Sequence, residues 1–242
     1  MKGSTHAFDA WHFIDLPITV AGSAPPACPG PHVNIVWALE EAAATLRSRH
    51  SDAWSRGLFL RVIVHLVGDI HQPLHTASLF SAGLPHGDEG GNSIKLQPAV
   101  RVGHTTTANE LHAFWDAGCG GSGLESIRWE GDRVDMASVE ALAASLDGPD
   151  VAHIVSTPLA DTAAVSDAFH AWADDSHAWA RNTSYSAELI ASLGIGTSVH
   201  TDAAFWFTYA ATGSCVVRHR LQLGGGHLAQ VVTALYRTRA AQ

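Results

Sequence analysis

Between residues 54 and 70 the chain is apolar on nearly every face of a helix, with Leu58, Leu60, Val62, Ile63, Leu66 and Val67 in close succession, until Pro73 stops it. Such a segment belongs in an interior, so the sequence predicts a core helix on which the rest of the chain is assembled. Two of its residues fit that setting poorly. His65 and Asp69 are ionisable, and a charge taken out of water is costly unless it is paired or holds a metal ion.

Residues four apart on a helix project from nearly the same face, so His65 and Asp69 can converge on one cation. Pro73 then redirects the chain and lets His75 approach from another direction, as a neighbouring metal in a multi-metal phosphoesterase requires. The pattern repeats downstream. In Asn109-Glu110-Leu111-His112-Ala113-Phe114-Trp115-Asp116, His112 and Asp116 again stand four apart on a predicted helix among apolar residues. A single His/Asp pair at this spacing is more often a hydrogen-bonded structural pair than a metal site. Two such pairs, with a third histidine turned in by a proline, favour metal, because each buried charge needs a partner.

Composition narrows the chemistry. The formal charge of −9 argues against gripping nucleic acid through a basic surface, which needs Lys and Arg to displace counterions from phosphates. Any phosphate must be held another way, and sixteen histidines against fourteen Lys plus Arg point towards metal, since imidazole is a common zinc ligand. With 46% hydrophobic residues, the 242-residue chain can bury a sizeable core, and we expect one domain over residues 1–242. Cys28, Cys119 and Cys215 are too few and too far apart for a disulfide framework or a cysteine-based zinc finger, and at most one disulfide can form. The opening Met1-Lys2-Gly3-Ser4-Thr5-His6 lacks the apolar stretch of a secretory signal, and no run is long enough to span a bilayer.

Elsewhere the pattern is mostly helical. Residues 21–31, rich in Pro, Gly and Ala, read as a loop. Val36, Leu39, Ala43 and Leu46 then recur at three- and four-residue steps, with Glu40, Glu41, Arg47 and Arg49 off that stripe, which predicts an amphipathic helix. Residues 81–91 predict a glycine-rich loop, and the alternation in Ile94-Lys95-Leu96 and Val100-Arg101-Val102 predicts a small strand pair. Further helical patterns cover residues 109–116, 139–146, 162–181, 203–221 and 226–237.

Five segments occur in the order, and over nearly the whole length, found in a known family. They are Trp11-His12-Phe13-Ile14-Asp15, the stretch from His65 to His75, Gly90-Gly91-Asn92, the stretch from Leu111 to Asp116, and Gly224-Gly225-Gly226-His227-Leu228-Ala229. The chain resembles the zinc-dependent single-strand-specific class I nucleases of fungi and plants and the related 3'-nucleotidase/nucleases of kinetoplastids. That resemblance implies an all-α fold of the phospholipase C/nuclease type with a small β-hairpin element, and a trinuclear zinc centre. By it, His12, His65 and Asp69 would serve the first zinc and His75, His112 and Asp116 the second. Asp69, the expected catalytic carboxylate, would also reach a third. The resemblance further implies a nucleobase pocket in which Phe13 stacks on the base while Asp15 and Asn92 bond its edge near Gly90. An aromatic face with a carboxylate and an amide suits an unstacked base. Taken without the resemblance, Phe13 reads as core and Asp15 as a helix cap. His71 and Gln72 receive no ligand role, and His71 reads as a residue behind the ligands or a solvated one.

The implied activity is hydrolysis of single-stranded DNA or RNA and of 3'-nucleotides, by a metal-activated water attacking phosphorus in line while another metal stabilises the leaving 3'-oxygen. A monomer and a secreted or cell-surface parent are also implied, and the Asn182-Thr183-Ser184 sequon is compatible with the latter. One departure matters. Family members carry an amino-terminal tryptophan, histidine and aspartate that complete the third and first zinc sites. This chain begins eleven residues before His12 and shows none of them in recognisable form, with His6 and Asp9 the only ligand-type residues nearby. Fewer than three zinc ions are therefore expected. Two alternatives stay open: a catalytically impaired zinc-binding remnant, and a zinc phospholipase C-like enzyme acting on a lipid headgroup. Phe13, Asp15 and Asn92 argue against the second.

Overall fold

A computed structural model describes residues 8–20, 23, 33–103 and 106–240, so His6, Cys28 and most of the predicted 21–31 loop lie outside the described residues. Along the chain the elements are β1 (Pro17–Thr19), α1 (Ile35–Arg47), α2 (Ala53–His71), β2 (Ser78–Phe80), β3 (Lys95–Arg101), β4 (Thr107–Glu110), α3 (Leu111–Asp116), β5 (Trp129–Glu130), β6 (Arg133–Val134), α4 (Met136–Leu146), α5 (Pro149–Ser156), α6 (Thr162–Trp179), α7 (Ala187–Leu193), β7 (Ser198–His200) and α8 (Ala203–Ala240). The architecture is largely helical, with short strands in small sheets, as expected.

Capping fixes where the main helices begin. The Asn34 side chain accepts from the Val36 and Trp37 N–H groups at the start of α1, and Asp52 and Asp161 do the same work for α2 and α6. These side chains satisfy donors that the first turn leaves unpaired. The apolar residues then sort into two clusters. Ile35, Leu39, Ile63, Leu66, Ile70 and Phe169 join α1, α2 and α6, whereas Leu74, Leu111, Phe114, Trp115 and Val199 join α3 to the sheets. The long helix α8 serves both, giving Trp206, Tyr209 and Val216 to one and Val231 and Leu235 to the other.

Three expectations are corrected. The helix over residues 54–70 is not buried on every side: Trp54 is 74% and Val64 49% exposed, so its apolar character exceeds what the fold covers. The two patterns at residues 203–221 and 226–237 are one helix, because Gly224-Gly225-Gly226 reads straight through. Small residues let α8 lie close to its neighbours. A Cβ at Gly213 would come within 2.6 Å of Cys119 Sγ, and one at Gly226 within 3.1 Å of Ile154. The alternating stretches 94–96 and 100–102 do not pair with each other. Both fall largely on β3, which pairs antiparallel with β4 and parallel with β7. Among the described residues Cys119 is buried and Cys215 exposed, and both are free thiols.

Candidate metal centre

Helix α2 buries Ile63, Leu66, Val67 and Ile70, positions three and four apart. This stripe faces the core and leaves His65 and Asp69 on its flank, at the edge of a cleft. The same logic holds on α3, where Leu111, Phe114 and Trp115 are buried and His112 and Asp116 stand beside them. Between the two helices, Pro73 opens a 3-10 turn, Pro73–Thr76, that carries His75. Pro73 does redirect the chain, and His75 stands beside both Asp69 and Asp116.

His12 arrives from the other side. It closes a 3-10 turn, Asp9–His12, after which the chain runs extended alongside residues 75–80. The Ile14 N–H donates to the His75 carbonyl at 2.8 Å, the Ser78 N–H donates to the Leu16 carbonyl at 3.0 Å, and the strand pair β1–β2 continues this parallel register. Main-chain pairing thus places His12 against His75.

Two groups of three result, each with ligand atoms within 4.8 Å of one another: His12, His65 and Asp69, and His75, His112 and Asp116. In the first, His12 Nδ1 lies 2.9 Å and His65 Nε2 3.2 Å from Asp69 Oδ2, and the two imidazole nitrogens are 3.1 Å apart. In the second, His75 Nε2 is 3.6 Å from Asp116 Oδ1 and His112 Nε2 is 3.4 Å from Asp116 Oδ2. His75 also joins the groups, with Nδ1 3.9 Å from Asp69 Oδ2. Either group could hold a metal ion. Asp9, the other described ligand-type residue near the start, belongs to neither.

Each imidazole of the second group is oriented by a backbone carbonyl. His75 Nδ1–H donates to the His12 carbonyl at 2.6 Å, and His112 Nδ1–H donates to the Gly90 carbonyl at 2.7 Å. With Nδ1 engaged by a carbonyl, each ring turns Nε2 towards Asp116, the arrangement found behind metal-ligating histidines. Burial alone would lower the His75 pKa, but its bond to Asp116, the Asp69 charge and the His12 carbonyl outweigh it, and the net shift is upward. Burial likewise would raise Asp116, yet the bond from His75, the His112 charge and the Gln72 amide bring its pKa below the usual value. A raised imidazole beside a depressed carboxylate marks a locus that favours positive charge, which a cation in place of the proton would satisfy.

The residues expected to bind a base do not share the cleft's cavity. A cavity of about 640 Å³ is bounded by His12, His65, Asp69, His75 and Asp116 on one side and by Val217, Leu221 and Leu228 of α8 on the other, and Phe13, Asp15, Gly90 and Asn92 do not line it. Phe13, directly after His12, is 37% exposed and therefore not core. Asp15 does not cap a helix; the chain runs on from it into β1. Desolvation and the neighbouring Glu89 carboxylate raise its pKa, although its side chain still reaches solvent. Asn92 Nδ2 donates to the Glu89 carbonyl at 2.8 Å, and Gly90 supplies the carbonyl that holds His112. Gly90 has φ +63, and a Cβ there would lie 2.4 Å from the Leu74 carbonyl, so only glycine fits.

Other participants carry no periodic signal in sequence. Gln72 caps the His75 turn through its Oε1 and donates from Nε2 to Asp116 at 2.9 Å, a link between the helices that the chain's order does not reveal. His71 is buried, which removes the solvated reading. Its Nε2 accepts from His227 Nδ1 at 2.8 Å, and burial with the nearby Arg220 charge holds His71 at a pKa of about 3 and His227 at about 4. This neutral pair sits at the end of α2, with Trp172 stacked on His227.

A family model described as S1/P1 Nuclease matches residues 1–237. The chain belongs to the S1/P1 nuclease family. Membership places it among nucleases, hydrolases acting on nucleic acid, and among metal-dependent enzymes, in agreement with the two His/Asp groups. No curated protein matches the sequence. Among the described residues, no helix is long and apolar enough to cross a membrane.

Proposed function

We propose that this S1/P1 family chain is a zinc-dependent phosphoesterase that hydrolyses single-stranded DNA or RNA and removes 3'-phosphate from nucleotides. The observation that carries this reading is the adjacency of the two His/Asp groups, which His75 joins by facing Asp69 with one ring nitrogen and Asp116 with the other. Two imidazoles and one carboxylate per group form a zinc donor set that leaves a position open for water or substrate. Within each group the imidazole nitrogens lie 2.9 to 3.6 Å from the carboxylate oxygen they face, close to the edge of about 3.4 Å expected for a zinc tetrahedron with bonds of about 2.0–2.1 Å. Zinc bound there would supply a water of lowered pKa and would balance charge on the phosphoryl oxygens.

The chain's own residues do the rest. His12, His65 and Asp69 hold one site and His75, His112 and Asp116 the other. Asp69 makes its contacts through Oδ2, leaving Oδ1 to accept a proton from the attacking water or to meet a further cation. Phe13 offers a ring face to a base, and Asp15 and the Asn92 amide offer polar groups to its edge. Cations held by these residues would bind the phosphate of a substrate, which a protein of charge −9 could not grip through a basic surface.

Two measurements test these assignments. The protein should retain two zinc ions per chain after dialysis, one for each group, and His112→Ala should retain one. Because the Asp116 side chain is 51% exposed, the stability cost of that variant in the metal-free protein should be on the order of 1 kcal/mol or less, not the roughly 3–5 kcal/mol of a fully buried broken pair. Retention of two zinc ions by His112→Ala would remove the ligand role. Asp15→Ala should raise KM for a 3'-nucleotide by about tenfold, the equivalent of one hydrogen bond to a charged group, with zinc content unchanged. An unaltered KM would place the base elsewhere.

A further inference from the structure

Asp88 is a carboxylate with no solvent exposure at all, outside both His/Asp groups and unused by the reading above. Its hydrogen-bond partners are neutral. Oδ1 accepts from the Leu79 N–H at 2.8 Å, Oδ2 accepts from the Tyr185 hydroxyl at 2.7 Å, and the Gly91 N–H also donates to it. Burial pushes its pKa up to about 6, so at neutral pH it is ionised and both oxygens act as acceptors. A charge buried among neutral donors is costly to keep, which is a reason to ask what it holds in place.

What it holds is the turn after it. Glu89, Gly90 and Gly91 all have positive φ, at 56, 63 and 90 degrees, and the Ser93 N–H donates back to the Asp88 carbonyl at 2.9 Å. This left-handed turn aims the Gly90 carbonyl at His112 Nδ1, and its next residue is Asn92. Tyr185 anchors the other end of the contact, because it follows a π-helical turn, Ala180–Ser184, and is itself buried. The carboxylate therefore ties β2, the segment after α6 and the turn over residues 88–93 into one unit.

We infer that Asp88 is a positioning residue for the second metal group: by pinning the 88–93 turn through Leu79, Gly91 and Tyr185, it fixes the Gly90 carbonyl that orients His112 towards Asp116. The inference rests on His75, His112 and Asp116 being metal ligands, and its test separates the two. Zinc affinity is measured by competition with a chromophoric chelator in a His12→Ala background, which leaves only the second group, and in an Asp116→Ala background, which leaves only the first. Asp88→Asn should weaken zinc binding by about 10–100-fold in the first background, the usual effect of losing a ligand-orienting contact, and leave it unchanged in the second. Tyr185→Phe, which removes a single donor, should weaken the second group in the same direction by a smaller factor. A merely structural Asp88 would lower the melting temperature and change both affinities alike, and that result overturns the inference. So does unchanged second-group affinity in folded Asp88→Asn; should that variant not fold, unchanged affinity in Tyr185→Phe is decisive. If the His12→Ala parent binds no zinc, the ligand reading of the second group fails and this inference falls with it.

Discussion

Replacing Asp69 with asparagine is expected to strip zinc from the first group and to slow phosphodiester hydrolysis by on the order of 10³-fold or more, because several kcal/mol of metal-derived stabilisation are lost together. Asp69 Oδ2 lies within 3.9 Å of a ring nitrogen of His12, His65 and His75, so its charge binds the first group together and meets the second. Asparagine keeps the shape while removing the charge. Its effect on the melting temperature of the metal-free protein should therefore be small, while metal analysis falls from two zinc ions to one. Two retained zinc ions, or an undiminished rate, would show that Asp69 is a hydrogen-bonded structural residue, the reading that a lone His/Asp pair at helical spacing also allows.

Denatured DNA or RNA should be cleaved on the order of 10²–10³-fold faster than the same sequence in a duplex. A base that stacks on Phe13 and presents its edge to Asp15 and Asn92 must leave its own stack and its partner, at a cost of a few kcal/mol for a paired base, and each 1.4 kcal/mol is a factor of ten. The exposure of Phe13 supports the expectation, since a ring that is 37% exposed immediately after a metal-ligand candidate has a face free for stacking. Equal rates on the two forms would remove the base pocket from the account. Turnover of phosphatidylcholine with none of nucleotides would instead assign the apolar cavity beside Asp69 and Asp116 to a lipid, and a zinc-loaded chain with no turnover on any of these would match a catalytically silent remnant.

The helices that carry the site were readable because their physics is local. The stripe of Val36, Leu39 and Ala43 and the run from Ile63 to Ile70 set α1 and α2 through spacing alone, and the same spacing brought His65 next to Asp69 and His112 next to Asp116. Pro73 made the redirection of His75 legible as well. His12 was different: nothing in its own surroundings distinguishes it, and only the family resemblance pointed to it. The division of α8 at its glycines failed for a related reason. Glycine propensity disfavours a helix, but close packing of Gly224 beside His71 and of Gly226 beside Ile154 favours it here.

What the sequence by itself determined is the mostly helical character, the family and the candidate His/Asp groups, since these follow from periodicity and from side-chain chemistry over a few residues. Only the tertiary structure decided that β3 pairs with β4 and β7, that Gln72 bridges to Asp116, and that Asp88 meets Tyr185. The last two partners lie 44 and 97 positions apart. Hydrogen bonds of that reach leave no period in the chain, because their geometry is set by where the packed helices and strands deliver each side chain and not by its neighbours in sequence.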